Sequence, residues 1–325
     1  MGDNTNQKIA TGLAAVVIGR NEGARLVACL GALRGVIDRV VYVDSGSTDA
    51  SPEVARAAGA QVVALDPDRP FTAARARNAG LRALSCDPPR HVQFIDGDCI
   101  LRPDWPGLAM RALDDNPGWA VVAGRRREAR PEVSVFNRLC DAEWDTPVGP
   151  ARAVGGDAMV RHAAITAIGG FRADLIAGEE PEMCLRLRAA GWQIHRLPHE
   201  MTLHDADMTR LGQWWRRMRR SGHAFAEGAW LHGGPPERHW RHETRRALAW
   251  GAGLPAAAVL GGALLHPVLA LGLLAYPAQV ARLSRRMGWT RAGFAVLGRF
   301  PEAQGAAGFH LDRLRRRRAG LIEYK

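Results

Sequence analysis

Short apolar runs alternate with amphipathic stretches through the first hundred residues. Residues 14–18 form a plausible buried strand, and Gly19-Arg20-Asn21-Glu22-Gly23 interrupts it before a helical pattern over 24–33. A β-branched run at 39–43 ends in Asp44-Ser45-Gly46-Ser47-Thr48-Asp49. Ser51-Pro52-Glu53 then opens a helix with a hydroxyl, a first-turn proline and an early acid. Residues 61–65 predict a third strand, 71–84 a helix and 91–95 a fourth strand. Strands alternating with helices at this spacing predict βαβ units and a mostly parallel sheet, hence an α/β fold. Asp44 and Asp96 then follow the carboxyl ends of their strands on one rim, where open α/β sheets bind ligands. After 120–123 the pattern loosens. Arg125-Arg126-Arg127 and residues 144–153 read as loop. Gly155-Gly156-Asp157 leads into a short helix at 161–168, and Gly178-Glu179-Glu180-Pro181-Glu182 opens another that Gly191 ends.

The last third has a different pattern. Residues 247–281 contain no charged side chain. As one straight helix at 1.5 Å per residue the run would be roughly 50 Å long, against a hydrocarbon core of about 30 Å. Arg245 and Arg246 precede it, Arg282, Arg285 and Arg286 follow, and His266-Pro267 lies near its middle. A helical hairpin broken at His266-Pro267, dipping into or just across a bilayer with both ends cytoplasmic, is the expectation; a pair of buried core helices is the soluble alternative. The expected organisation is a tail at 1–12, an α/β domain at 13–230 and a membrane-associated helical region with a basic tail at 231–325.

The 325-residue chain carries a formal charge of +11, which points to a phosphate-bearing partner: nucleotide, nucleic acid or anionic lipid. Because the basic stretches flank an apolar segment, lipid fits better than nucleic acid. Five cysteines without a CxxC pair indicate neither a zinc site nor a disulfide framework, and read as reduced thiols. The first residues lack the apolar run of a signal peptide.

Asp96-Gly97-Asp98 closes the fourth strand. Two carboxylates flanking a glycine suit a hard divalent cation such as Mg²⁺ or Mn²⁺; a polar turn is the bland reading of the same residues. VVIGRNE at the first strand, VDSGSTD after the second, ARN in the third helix, DGD after the fourth strand, IGGF and GEEPEMCLRLRAAGW occur in order. Together they resemble the inverting glycosyltransferases of family two, which have the GT-A nucleotide-sugar fold. The resemblance spans roughly residues 13–226.

The resemblance implies a hexosyltransferase of the cell envelope, acting on the cytoplasmic side of the membrane and taking a nucleotide sugar, with a UDP-sugar favoured. The acceptor would be lipid-linked or a saccharide. It places Gly19, Arg20, Glu22, Asp44, Arg77 and Asp96 at the donor, with Asp44 facing the base. Asp98, Asp96 and His204 would hold the metal. Glu179-Glu180 stands where the family usually shows Glu-Asp, so Glu180 is the expected general base, with Glu179 its rival. Each has a plainer reading: Asp44 as a turn brace, Arg77 on a solvated helix face, His204 as structural, the two glutamates as complements to a helix dipole. Gln213-Trp214-Trp215-Arg216-Arg217 resembles the QxxRW motif of processive synthases, but Arg217 replaces the tryptophan on which a growing chain would stack, favouring single-sugar transfer. The same residues fit an amphipathic surface helix with Trp214, Trp215 and Met218 towards lipid. A nucleotidyltransferase would want a Gly-rich, Lys-bearing loop after the first strand, and a non-catalytic scaffold would lack one of the acids. Neither pattern is present.

Overall fold

Leu13–Gly19 (β1) is apolar through Ile18 and almost wholly buried, as a strand covered on both faces requires. The computed structural model describes residues 12–316; the N-terminal tail and the end of the basic tail lie outside them. After β1 come Ala24–Leu33 (α1), Arg39–Asp44 (β2), Ser51–Ala57 (α2), Gln61–Ala64 (β3), Ala73–Ala83 (α3) and His91–Asp96 (β4). β3, β2, β1 and β4 are neighbours and run parallel. Gly19 is in register with Asp44, and Ile18 with Asp96, so both aspartates do share one rim. The third helix is shorter than its apolar pattern because the Thr72 side chain accepts the Arg75 N–H and fixes the start.

Cys99–Leu101 (β5), Trp105–Asp115 (α4), Trp119–Glu128 (β6), Val135–Glu143 (α5), Gly149–Pro150 (β7), Ala158–Arg161 (β8), His162–Ala167 (α6), Glu179–Ala189 (α7) and Gln193–His204 (β9) complete the α/β unit. The sheet order is β3-β2-β1-β4-β8-β6-β9-β5, with β7 on β9. The mostly parallel α/β architecture is as expected; the antiparallel pairs all involve β5, β7 or β8.

Arg125-Arg126-Arg127 is strand and not loop. β6 runs through the three arginines with register shifts against β9 on either side of Arg125. At Gly124 a Cβ would come within 2.6 Å of the His199 carbonyl and 2.7 Å of the Trp105 ring. Only glycine allows the strand to pass there, and the resulting irregularity hides the strand's two-residue alternation.

The chain forms two compact units. One runs to Leu175 and includes Glu179–Asp207; the other comprises Ile176–Gly178 and the chain from Met208. The second unit contains Leu211–His232 (α8), Arg241–Leu248 (α9), Leu254–Leu264 (α10), Ala275–Leu297 (α11) and Arg299–Leu314 (α12). Trp214 is buried edge-on against Phe294, and the Trp215 indole donates to Gln304. Trp214 therefore faces protein, which corrects the lipid-facing arrangement for that residue.

The uncharged run contains a break where proline requires one. α10 ends at Leu264, His266 is extended, and Pro267–Leu274 returns as a 3₁₀ helix. Gly261 and Gly262 lie against Leu269 and Ala270, which brings the two legs together. Leu264, Leu265 (81% exposed), Val268 and Leu271 stand uncovered at the turn. Arg241–Leu264 is the one helical stretch among the described residues that is long and apolar enough to cross a membrane.

Candidate active site

Three loops converge beyond the parallel strands. Asn21 adopts a left-handed backbone, donates its N–H to the Ser47 hydroxyl and accepts the Thr48 N–H; the Gly23 N–H donates to Asp49. These bonds tie the Gly19–Arg20–Glu22 loop to the loop after β2. Asp49 also accepts the Ser51 N–H at the start of α2, as a helix-start acid should. Asp44 is buried, and its Oδ2 accepts the Gly46 and Ser47 N–H groups, both at 3.0 Å. Asp44 thus braces its turn through Oδ2, and the Tyr42 hydroxyl approaches its Oδ1. Glu22 pairs with Arg25 and lies against Gly97 of the DGD turn.

Arg77 is at the centre of the site. It is 2% exposed, which excludes the solvated-face reading. Its Nη2 donates to Asp96 Oδ1 at 2.9 Å. Its Nη1 reaches Glu179 Oε1 at 3.0 Å and Glu180 Oε1 at 2.9 Å. One guanidinium therefore brings together a carboxylate at the end of β4 and two at the start of α7, far apart in sequence. A Cβ on Gly156 would meet Arg77 Nη2 at 2.6 Å and Asp96 Oδ2 at 2.8 Å, so only glycine allows the backbone to cover this pair. Replacing Arg77 with leucine leaves three acids crowded without their cation. A loss of about 3–5 kcal/mol in unfolding free energy is expected, read as a lower urea midpoint. Arg77→Lys should recover part of it, since lysine keeps the charge but not the fork.

Asp157 and Arg126 hold Asp96 from the other side, and sequence reading assigned neither a role. Asp157 Oδ1 accepts the Asp96 backbone N–H at 3.1 Å; its Oδ2 accepts the Thr202 hydroxyl at 2.7 Å and pairs with Arg126 at 3.0 Å. Arg126 also approaches Asp96 at 3.5 Å and lies over the Trp144 ring. The paired glycines before Asp157 were the available signal. Arg126 gave none, because its strand read as loop.

Asp98 and His204 meet at the far end of the site. β5 pairs with β9 so that Cys99 faces His204, and His204 Nε2 lies 3.4 Å from Asp98 Oδ2. Burial, with Arg126 adding to it, lowers the imidazole pKa to about 4, so His204 is neutral at physiological pH, the form that ligates metal. Its Nδ1 is buried without a hydrogen-bond partner among the described residues. Donor atoms of Asp98, Cys99 and His204 lie within 4.8 Å of one another, as do those of Asp96, Cys99 and Asp157. Burial pushes the Cys99 thiol well up, so it remains protonated and contributes no thiolate. What remains of the two groups, Asp98 with His204 in one and Asp96 with Asp157 in the other, is of the donor type that suits Mg²⁺ or Mn²⁺. Arg77 and Arg126 face Asp96, Asp157, Glu179 and Glu180, more carboxyl groups than guanidiniums, and a divalent cation would offset the excess.

Burial raises the Glu180 carboxyl to about 7; Glu179 adds to the shift and Arg77 opposes it. Glu180 is 16% exposed on its side chain and Glu179 5%. Of the two, Glu180 has the accessible oxygen and a proton affinity suited to neutral pH.

Residues 15–150 match the family model for glycosyl transferase family 2. Over 215 residues the chain is 29% identical to a pre-mycofactocin glycosyltransferase of Mycobacterium tuberculosis, covering 62% of this chain and 44% of that protein. The chain thus spans less than half the length of this relative. Among solved structures, the mannosyltransferase PcManGT from Pyrobaculum calidifontis, in complex with GDP-Man and Mn²⁺, superposes with a TM-score of 0.62 at 21% identity, covering 92% of this chain and 88% of that one. S. aureus TarS 1–349 gives a TM-score of 0.50 at 13% identity, covering 94% and 92%. Both similarities are of fold.

Proposed function

We propose, from the match of residues 15–150 to the family model for glycosyl transferase family 2, that the chain transfers a sugar from a nucleotide sugar, a UDP-sugar in preference, to a hydroxyl of a lipid-linked or saccharide acceptor, with inversion at the anomeric carbon. The observation that carries this reading is the gathering of Asp96, Glu179 and Glu180 on Arg77 at the rim that also presents Asp98 and His204.

Each residue has a task in that reaction. Asp44 offers a carboxylate oxygen to the imide N–H of the base, and Gly19, Arg20 and Glu22 form the loop beside it. Asp98 and His204, with Asp96, would hold the divalent cation. When bound, the cation supplies Lewis acidity that offsets charge on the departing nucleoside diphosphate. Glu180 takes the proton of the acceptor hydroxyl as that oxygen bonds to the anomeric carbon and the bond to the diphosphate breaks on the opposite face. Arg77 holds Glu180 in place and, with Glu179, sets its proton affinity. A panel of nucleotide sugars offered with Mg²⁺ or Mn²⁺, with free nucleotide as the readout, tests the assignment. Release from one donor class supports it. No release from any, with triphosphate consumed in the presence of a sugar phosphate, would move the chain to nucleotidyl transfer.

The hairpin in the second unit supports membrane association. Residues 247–264 rise roughly 27 Å at 1.5 Å each, and the return, eight residues of 3₁₀ helix and then the uncharged start of α11 to residue 281, rises roughly 27 Å as well. Both legs come close to the about 30 Å of a hydrocarbon core, so the hairpin dips into or just across the bilayer, with its basic flanks on the cytoplasmic side. Leu264→Glu with Leu265→Glu should release the protein from liposomes in a flotation assay and leave its melting temperature unchanged. Continued flotation would show that other surfaces hold it to lipid.

A further inference from the structure

Arg125 and Arg196 are both more than nine-tenths buried on the strand pair β6–β9, yet their acceptors are few. Arg125 Nη2 reaches Asp141 at 3.2 Å, while Arg125 Nε and Arg196 Nη2 approach the same oxygen, Asp145 Oδ1, at 3.6 and 3.5 Å. Arg125 Nη1 and Arg196 Nε are buried with no hydrogen-bond partner among the described residues. Asp141 is shared: it also accepts the Glu128 N–H and approaches Arg127. Among the described residues Arg196 pairs with Asp145, whose side chain is 65% exposed. Burial lowers the Arg196 pKa; the Asp145 charge opposes the shift and the Arg125 charge adds to it.

Two buried guanidiniums converging on one exposed carboxylate have the donor geometry of an oxyanion site: planar forks, unspent N–H groups and a partner that can swing into water. A carboxylate at 3.5 Å satisfies neither fork, whereas a tetrahedral dianion has enough oxygens for both. We propose that Arg125 and Arg196 form a second anion site that takes a phosphate monoester in place of the Asp145 carboxylate. The site is separate from the Arg77 cluster and does not depend on the glycosyl-transfer reading. It does lie one residue from Trp144, whose ring packs on Arg126 and edge-on against His204. A phosphate held there would be next to the wall of the active site.

The test is calorimetric titration of the full chain with inorganic phosphate and with glycerol 3-phosphate, in chelator so that no divalent cation recruits phosphate elsewhere. The heat should persist in Asp98→Asn, which separates this site from the donor site. Asp145→Asn should tighten binding roughly tenfold by removing the competing carboxylate, and Arg196→Gln should weaken it by at least about thirtyfold. Arg196→Lys guards against misfolding: it keeps the charge, loses the fork and should bind at an intermediate level. Flotation with phosphatidic acid vesicles forms a second arm. The same ranking of variants there, without binding of the soluble esters, assigns the site to a lipid headgroup; the ranking with the soluble esters assigns it to a free phosphate. If Asp145→Asn leaves affinity unchanged or weaker in both arms, or if Arg196→Gln binds like wild type, the site does not exist.

Discussion

Asp98→Asn is expected to lower turnover by at least about 10²–10³-fold while the protein remains folded. Asparagine has nearly the same shape as aspartate, and the contacts Asp98 makes with the Cys99 thiol and His204 are polar ones that an amide can replace in part. It cannot replace the charge. In the proposed site, Asp98, Asp96 and the neutral His204 imidazole would hold a hard cation mainly through carboxylate oxygens. Mn²⁺ is expected to raise the wild-type melting temperature, because a ligand stabilises the state that binds it, and removing the most buried carboxylate should abolish that rise. Two measurements decide the matter together: turnover with saturating Mn²⁺, and the Mn²⁺-dependent melting shift. If Asp98→Asn turns over at the wild-type rate, or the wild-type enzyme works equally well in excess chelator, the metal role is lost.

The parallel half of the sheet was legible because each of its strands is a short apolar run followed by a polar rim. Asp44, Asp96 and Asp98 inherit their positions from that simple rule. The pairing of His204 with Asp98 depended on a long strand, β9, that is mostly polar and exposed along its middle, and only a family resemblance pointed to it. Arg126 and Asp157 were not legible. The strand that carries Arg126 breaks register at Gly124, and a buried Arg–Asp pair has the same residue types as a surface one. Arg77 shows the limit most clearly. A sequence can show an arginine on a helix but cannot show that carboxylates from β4 and α7 meet it, since that contact is a property of the tertiary fold. The break at His266-Pro267 lies at the other extreme, because proline dictates it locally.

Glu180→Gln should lower kcat by about 10²–10⁴-fold with little change in donor affinity, because proton removal is an interaction made in the transition state. The pH profile gives a second, independent reading. Burial raises the carboxyl to about 7, and a base works only when deprotonated. Turnover should therefore be low in acid, rise as pH passes through about 7 and then level off. The limb belongs to the Glu179–Glu180 pair on Arg77, since the two carboxylates share one guanidinium nitrogen. Glu179→Gln removes the neighbour that pushes Glu180 up, so the limb should move towards acid while kcat at high pH stays within a few-fold of wild type. In Glu180→Gln the limb should vanish from whatever rate remains. The opposite result, a silent Glu180→Gln and a dead Glu179→Gln, would assign the base to Glu179, one residue earlier on α7 and deeper in the protein.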